Sequence, residues 1–240
     1  TLAEAHATLG HVRATYCWDW PSACTEYKLA MALNPAYATV HHWYAITYLA
    51  PLGLFENART EIQKAEELDP LSASIKRDIA VILCNGRLYE QAVEQCQKTI
   101  ELEPSFQSSY WALGLAYEGI SQYEKAAAAL QQALKNSASH TPRFMGALGH
   151  VYARWGKRED ALRVLEEMDK LSRTRYVSPF DFAVIHLGLE NSDTAFEWLE
   201  RACKARCYEL VFLQVDARFD AVRSDLRFAR LLKRLGLQTR

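Results

Sequence analysis

The chain has 240 residues, of which half are hydrophobic and 24% charged, and its formal net charge is −1. This composition suits a globular protein or a repeat array. The near-neutral balance argues against a direct nucleic-acid binder, which carries a basic surplus, and seven prolines and ten glycines are few for a turn-rich, many-stranded β fold.

Taken in chain order, the sequence repeats itself. ALNP (residues 32–35), ELDP (67–70) and ELEP (101–104) end three segments alike. Pro70 and Pro104 lie 34 residues apart, the tetratricopeptide period; Pro35 and Pro70 lie 35 apart. Leu9-Gly10, Leu113-Gly114 and Leu148-Gly149 recur in phase with them. The expectation is an all-α fold, a right-handed superhelical solenoid of six tetratricopeptide-type helix pairs over residues 1–207. Units start near 3, 39, 73, 107, 142 and 176, and a C-terminal cap covers 208–240. Unit one gains a residue in its turn, CWDWPSA, and the unit-four linker, NSASHTP, gains another and carries Ala138 where the closing proline would stand.

Each unit meets the packing demands of two crossed helices. The first helix needs a small residue at the close approach, and Gly10, Ala80, Gly114, Gly149 and Ala183 supply it, with Ile46 departing. The second helix answers with Ala23, Ala58, Ala92, Ala126, Ala161 and Ala195. Proline cannot continue a helix, so Pro35, Pro70 and Pro104 end the units, and Gly53, Gly86 and Gly156 fall at the inner turns, where a left-handed residue closes a helix. After Ala205 the pattern stops. Phe228, Leu231, Leu232 and Leu235 share one helical face, which predicts a capping helix over residues 225–237. Its arginines and lysine (Arg227, Arg230, Lys233, Arg234) are expected to face solvent.

In stacked helix pairs the first helices line a concave surface. The register assigns to it Trp43 and Thr47; Arg77, Val81 and Cys84; Trp111, Leu115 and Glu118; Arg143, His150 and Arg154; Phe180 and Val184. Of these, Trp43, Arg77, Trp111, Leu115, Arg143, His150, Arg154 and Phe180 are the candidate peptide-binding residues. Tryptophan and arginine dominate binding hot spots, and Trp43 and Trp111 are expected to stand exposed in the groove. Such a stripe suits an extended or helical segment with apolar anchors and acidic residues. The Lys and Asn pattern that grips a peptide's terminal carboxylate is missing from these positions.

No chemistry-bearing motif competes with this reading. Gly156-Lys157 lacks the rest of a phosphate loop, and GxSxG, HExxH and GxGxxG are absent. His41 and His42 point about 100° apart on a helix and cannot chelate one metal; His42 is read as a packing residue. Six cysteines without a CxxC pair do not make a zinc site or a disulfide framework, and are read as buried reduced thiols. No metal, cofactor or enzymatic turnover is expected. No apolar run is long enough to span a membrane and no signal peptide opens the chain.

Three stretches carry a family likeness: LNPAYATVHHWYA, YVSPFDFAVIHLGLENSDTAFEWLERA and DARFDAVRSDLRFARLLKRLGL. They resemble the C-terminal tetratricopeptide region of large bacterial signalling proteins, in which it follows a winged-helix DNA-binding, Ser/Thr kinase or cyclase domain. Pro51 and Leu226 depart from that likeness. The resemblance implies the sensory or scaffolding part of a regulator, cytoplasmic, or extracytoplasmic where the parent has a membrane helix. A start at Thr1 rather than Met is consistent with a piece of a longer protein. The expected function is a protein-interaction module that binds a protein or peptide segment in its groove. The alternative is a self-associating or autoregulatory element that packs on another copy or on a missing N-terminal domain.

Overall fold

The computed structural model describes residues 2–135 and 141–237; part of the NSASHTP linker, with Ala138, lies outside the described residues. The described residues are helical throughout their regular elements, without a strand. The helix pairs are α1 (Leu2–Val12) with α2 (Trp20–Leu33), α3 (Ala38–Tyr44) with α4 (Phe55–Leu68), and α5 (Ala73–Asn85) with α6 (Tyr89–Leu102). They continue with α7 (Gln107–Gly119) and α8 (Tyr123–Lys135), α9 (Pro142–Arg154) and α10 (Arg158–Ser172), and α11 (Pro179–Gly188) and α12 (Ser192–Lys204). The chain closes with α13 (Leu226–Arg234). Each helix packs on its pair mate, and α5, α7, α9 and α11 also pack on one another in succession, so the molecule is a helical repeat solenoid.

The repeat is visible in individual contacts. Ala23, Ala58, Ala92, Ala126, Ala161 and Ala195 are all fully buried, where a larger side chain would push the paired helices apart. His6 Nδ1 lies 2.6 Å from Glu26 Oε2, and 35 residues later His41 Nδ1 lies 2.7 Å from Glu61 Oε2. The left-handed residues that close the first helices are Trp18, Gly53, Arg87, Ser121, Gly156 and Glu190, spaced at the repeat period. Gly86 is therefore not the left-handed residue of its turn; Arg87 is, at φ 65°. Helices α2, α4 and α6 stop at Leu33, Leu68 and Leu102, just ahead of the X-Pro pairs, because the residue before proline is driven out of the α region. Pro179 occupies the first turn of α11, where its missing N–H costs nothing, and it sets the start of that helix three residues after Tyr176.

Two helices differ from the rest in a way that corrects the register. Helix α1 runs into a π-helical turn at Arg13–Cys17, and α3 into another at Ala45–Leu49. A π turn absorbs one additional residue within a helix, so the insertion of unit one sits in the helix rather than in CWDWPSA alone. Thirteen positions separate Gly10 from Ala23 and likewise Ala45 from Ala58, against twelve from Gly114 to Ala126. Ala45, fully buried, thus holds the small-residue place of unit two, and Ile46 is no exception to the pattern. A one-residue slip turns a helix by about 100°, so His42 takes the concave position that had been assigned to Trp43.

The C-terminal stretch does more than cap. Helix α13 lies against α12, with Arg227 2.7 Å from Asp193 and Arg234 3.0 Å from Glu200, so these two arginines form ion pairs instead of a purely solvated face. Beyond it, the Trp20 indole N–H donates to the Leu235 carbonyl at 2.7 Å. Arg206 donates to the Tyr16 carbonyl at 3.2 Å and stacks over Trp18 at 4.0 Å. The last unit therefore meets the first. Between α12 and α13, two 3-10 helices, Tyr208–Phe212 and Ala217–Val222, cross the interior of the ring so formed. Leu210 through Asp216 are buried without exception.

Candidate functional site

The crossing segment contacts first helices from opposite ends of the array. The Tyr208 ring lies 6.4 Å from His11 of α1, Phe219 lies 5.6 Å from Phe180 of α11, and the Asp220 carboxylate accepts from Arg87 at 2.9 Å. The concave face of this protein is thus occupied along much of its length by residues 208–222 of the same chain.

What remains of the groove is a cavity of about 510 Å³, walled by α5, α7, α9 and α11 and by the crossing segment. Trp111, Leu115, Arg143, His150, Arg154 and Phe180 all line it; Trp43 and Arg77 do not. Trp43 packs beside Ala7, Tyr27, Ala30 and Val40 and on the His11 ring at 4.7 Å, as the register correction requires. Thr47 also leaves the groove, since its hydroxyl bonds Tyr27 at 2.7 Å in the core of the first two units. Arg77 bends onto its neighbour Asp78, at 2.6 Å. His42 is not a packing residue: its Nε2 lies 2.7 Å from Asp78 Oδ2. Burial pushes the Asp78 carboxyl up, but Arg77 and then His42 outweigh it and hold it below its usual value.

The expected exposure of the tryptophans is also corrected. Trp111 is only 4% exposed; the Arg143 guanidinium lies 4.0 Å above its ring and the Phe144 ring stacks 6.5 Å from it. Its indole N–H is buried with no hydrogen-bond partner, as is the Asn85 amide. The six cysteines are unpaired; four are buried, Cys24 is partly covered and Cys17 is exposed. Cys84 is one of the buried four and lines the cavity, where burial pushes its thiol well up, so it presents a neutral group.

Several charges around the cavity are matched. His150 Nδ1 lies 2.6 Å from Glu118 Oε1. Arg218 clasps Asp216 through two nitrogens, at 2.6 to 3.1 Å; burial pushes Asp216 up and Arg218 outweighs it, so the carboxylate stays ionised. Asp181 is different. It is 4% exposed, faces the cavity, and its carboxylate has no hydrogen bond or ion pair with a described residue. Gly146 of α9 makes room for it, since a Cβ there would stand 2.8 Å from the Asp181 Cβ. Burial, reinforced by Glu209, pushes its carboxyl up to about 7, with Arg143 and Arg218 pulling the other way.

Asp181, Glu209, Phe212, Asp216 and Arg218 were not among the candidates drawn from the sequence. The last four belong to the stretch read as part of a cap. No helix among the described residues is long and apolar enough to cross a membrane.

Residues 111–173 match the family model described as the tetratricopeptide repeat. A curated relative, anaphase-promoting complex subunit 3 of Schizosaccharomyces pombe, is 24% identical over 118 residues, which are 49% of this chain but only 18% of that protein. Among solved structures, a thermophilic TPR protein of Thermus thermophilus aligns with a TM-score of 0.55 at 20% identity, covering 96% of this chain and 99% of its own. Pseudomonas aeruginosa pilF aligns at 0.58 and 16% identity, covering 88% and 95%. MamA from Desulfovibrio magneticus RS-1 aligns at 0.54 and 21% identity, covering 72% and 96%. At these identities the likeness concerns the fold.

Proposed function

We propose that this chain is a non-catalytic protein-interaction or scaffold module, whose concave face holds a polypeptide segment carrying apolar anchors and acidic residues. The supporting observation is that the face already accommodates such a segment. Residues 208–222 present Leu210, Phe212 and Phe219 as buried anchors and Glu209, Asp216 and Asp220 as acids at the cavity. A partner segment of the same chemistry would bury its anchors against Leu115 and Phe180 and meet Arg154, which stands exposed at the cavity. The curated relative is by name the subunit of a complex, in keeping with an adaptor role. The family resemblance of the sequence favours the sensory part of a bacterial regulator as the setting of the module.

A second reading has its own observation. The present occupant of the face is intramolecular, which favours an autoregulatory element whose crossing segment yields to a partner, to a second copy or to another domain of a longer protein.

The test uses peptides selected from a random display library on the purified chain. Their affinity is then measured for Leu115→Arg and Arg154→Glu, each checked for an unchanged helical spectrum. Peptides with an apolar and acidic consensus, weakened tenfold or more by both substitutions, are expected; one buried anchor is worth about 2 kcal/mol, or roughly thirtyfold. Affinity that survives both substitutions but falls on Arg163→Glu, on the exposed face of α10, would transfer the function to the convex side and to self-association.

A further inference from the structure

We infer that the cavity bounded by α5, α7, α9, α11 and residues 208–222 is a binding site for a small amine on an aromatic or apolar body, with Asp181 and Glu209 holding its ammonium group. The site shares the Leu115 and Phe180 walls with the proposed peptide face, but rests on Asp181 and Glu209, which peptide capture does not use.

The volume, about 510 Å³, falls within the range of roughly 300–1,000 Å³ typical of small-ligand sites. The walls have the composition such sites use: Val81, Leu115, Trp111, Phe180 and Phe212 supply apolar and aromatic surface, and a few polar groups converge on it.

The charge of the ligand follows from which of those groups lack a partner. Glu118 is matched by His150, Asp216 by Arg218, and Asp220 by Arg87 and Arg223. Asp181 and Glu209 are left, together with Glu190, which is exposed to solvent. The Asp181 carboxylate is buried and unmatched, and the Glu209 carboxylate has only the Ser178 hydroxyl, at 3.5 Å. Of the three arginines at the cavity, Arg143 stacks on Trp111 at 4.0 Å, Arg218 is committed to Asp216, and Arg154 stands exposed and is not among the charges acting on Asp181. A buried carboxylate without a counter-charge is costly to ionise, and a cation entering here offsets that cost. An anionic ligand would add a like charge beside two acids, and a neutral apolar one would leave Asp181 as it is.

The groups that face Asp181 are Glu209 and Arg218 from the crossing segment and Arg143 from α9. Burial, reinforced by Glu209 and only partly offset by the two engaged arginines, keeps a proton on Asp181 up to about pH 7, and an ammonium at the carboxylate displaces it. Binding therefore releases a proton below about pH 7, strengthens as the pH rises towards 7 and levels off above it.

The probes are tryptamine, phenethylamine and 1-aminooctane, each titrated calorimetrically into the full chain, with indole-3-propionate as a carboxylate of tryptamine's shape. At least one amine is expected to bind with a dissociation constant below 1 mM, with a heat that varies with the ionisation enthalpy of the buffer, while indole-3-propionate gives none. Asp181→Asn keeps the shape of the side chain and should weaken the amine at least tenfold; Glu209→Gln, at a partly covered position, should weaken it severalfold. Absence of binding by all three amines overturns the assignment. So does equal binding of amine and propionate, or an amine affinity unchanged in a folded Asp181→Asn.

Discussion

Asp181→Asn tests the electrostatics of the cavity without any ligand. The carboxyl is pushed from 3.8 up to about 7 in the folded chain, first by burial and then by Glu209. A carboxyl raised on folding favours the folded state fully only while it is protonated in both states, below about pH 4. Between pH 4 and 7 the unfolded chain loses this proton and the folded chain keeps it, so stability falls as the pH rises, by about 1.4 kcal/mol per pH unit. Above 7 the loss levels off. Over the interval of about 3 pH units the upper limit is roughly 4 kcal/mol, and water entering the cavity reduces it. Asparagine has no such proton. The difference in unfolding free energy between Asp181→Asn and the wild type should therefore rise from pH 4 to 7, by about 1–3 kcal/mol in favour of the variant, and stay constant beyond. Urea titrations of both proteins at half-unit steps from pH 4 to 8.5 measure it directly, since titrating groups that do not interact with Asp181 cancel in the difference. A difference that stays flat across this range would show that Asp181 is matched in solution, by Arg143 or by water, and the reasoning about the cavity would fail with it.

Other substitutions test the packing. Gly114→Leu should cost about 1–3 kcal/mol by overpacking, because even a Cβ there would lie 2.5 Å from the Cγ of Leu130, which is fully buried; a melting temperature equal to the wild type would contradict the register of unit four. Trp20→Phe removes the bond to the Leu235 carbonyl and leaves a buried acceptor unmatched, at a cost of about 1–3 kcal/mol. Amide exchange in α13 should quicken more than in α7, and uniform exchange across the two helices would show that the ends of the array do not meet in this way.

The repeat was legible in the sequence because its causes are local. A proline after a helix, a small residue at a crossing and an alanine on its mate act within a single unit and recur every 34 or 35 residues, so spacing alone reveals them. Leu115, Arg143, His150 and Arg154 could be assigned to the inner face for the same reason, since a regular helix carries its register from one turn to the next. The π turns after Val12 and Tyr44 broke that regularity, and the assignment of Trp43 failed where it did, one residue out of phase. Tertiary structure alone decided the rest. The contacts of Trp20 with Leu235, Tyr16 with Arg206 and Arg87 with Asp220 span 215, 190 and 133 positions, and no period relates their partners. A run such as Leu210 to Leu213 is equally apolar whether it caps an end or fills a groove. Only the closure of the array brings the crossing segment onto the concave face, where with α9 it walls in Asp181 and turns an open groove into a cavity.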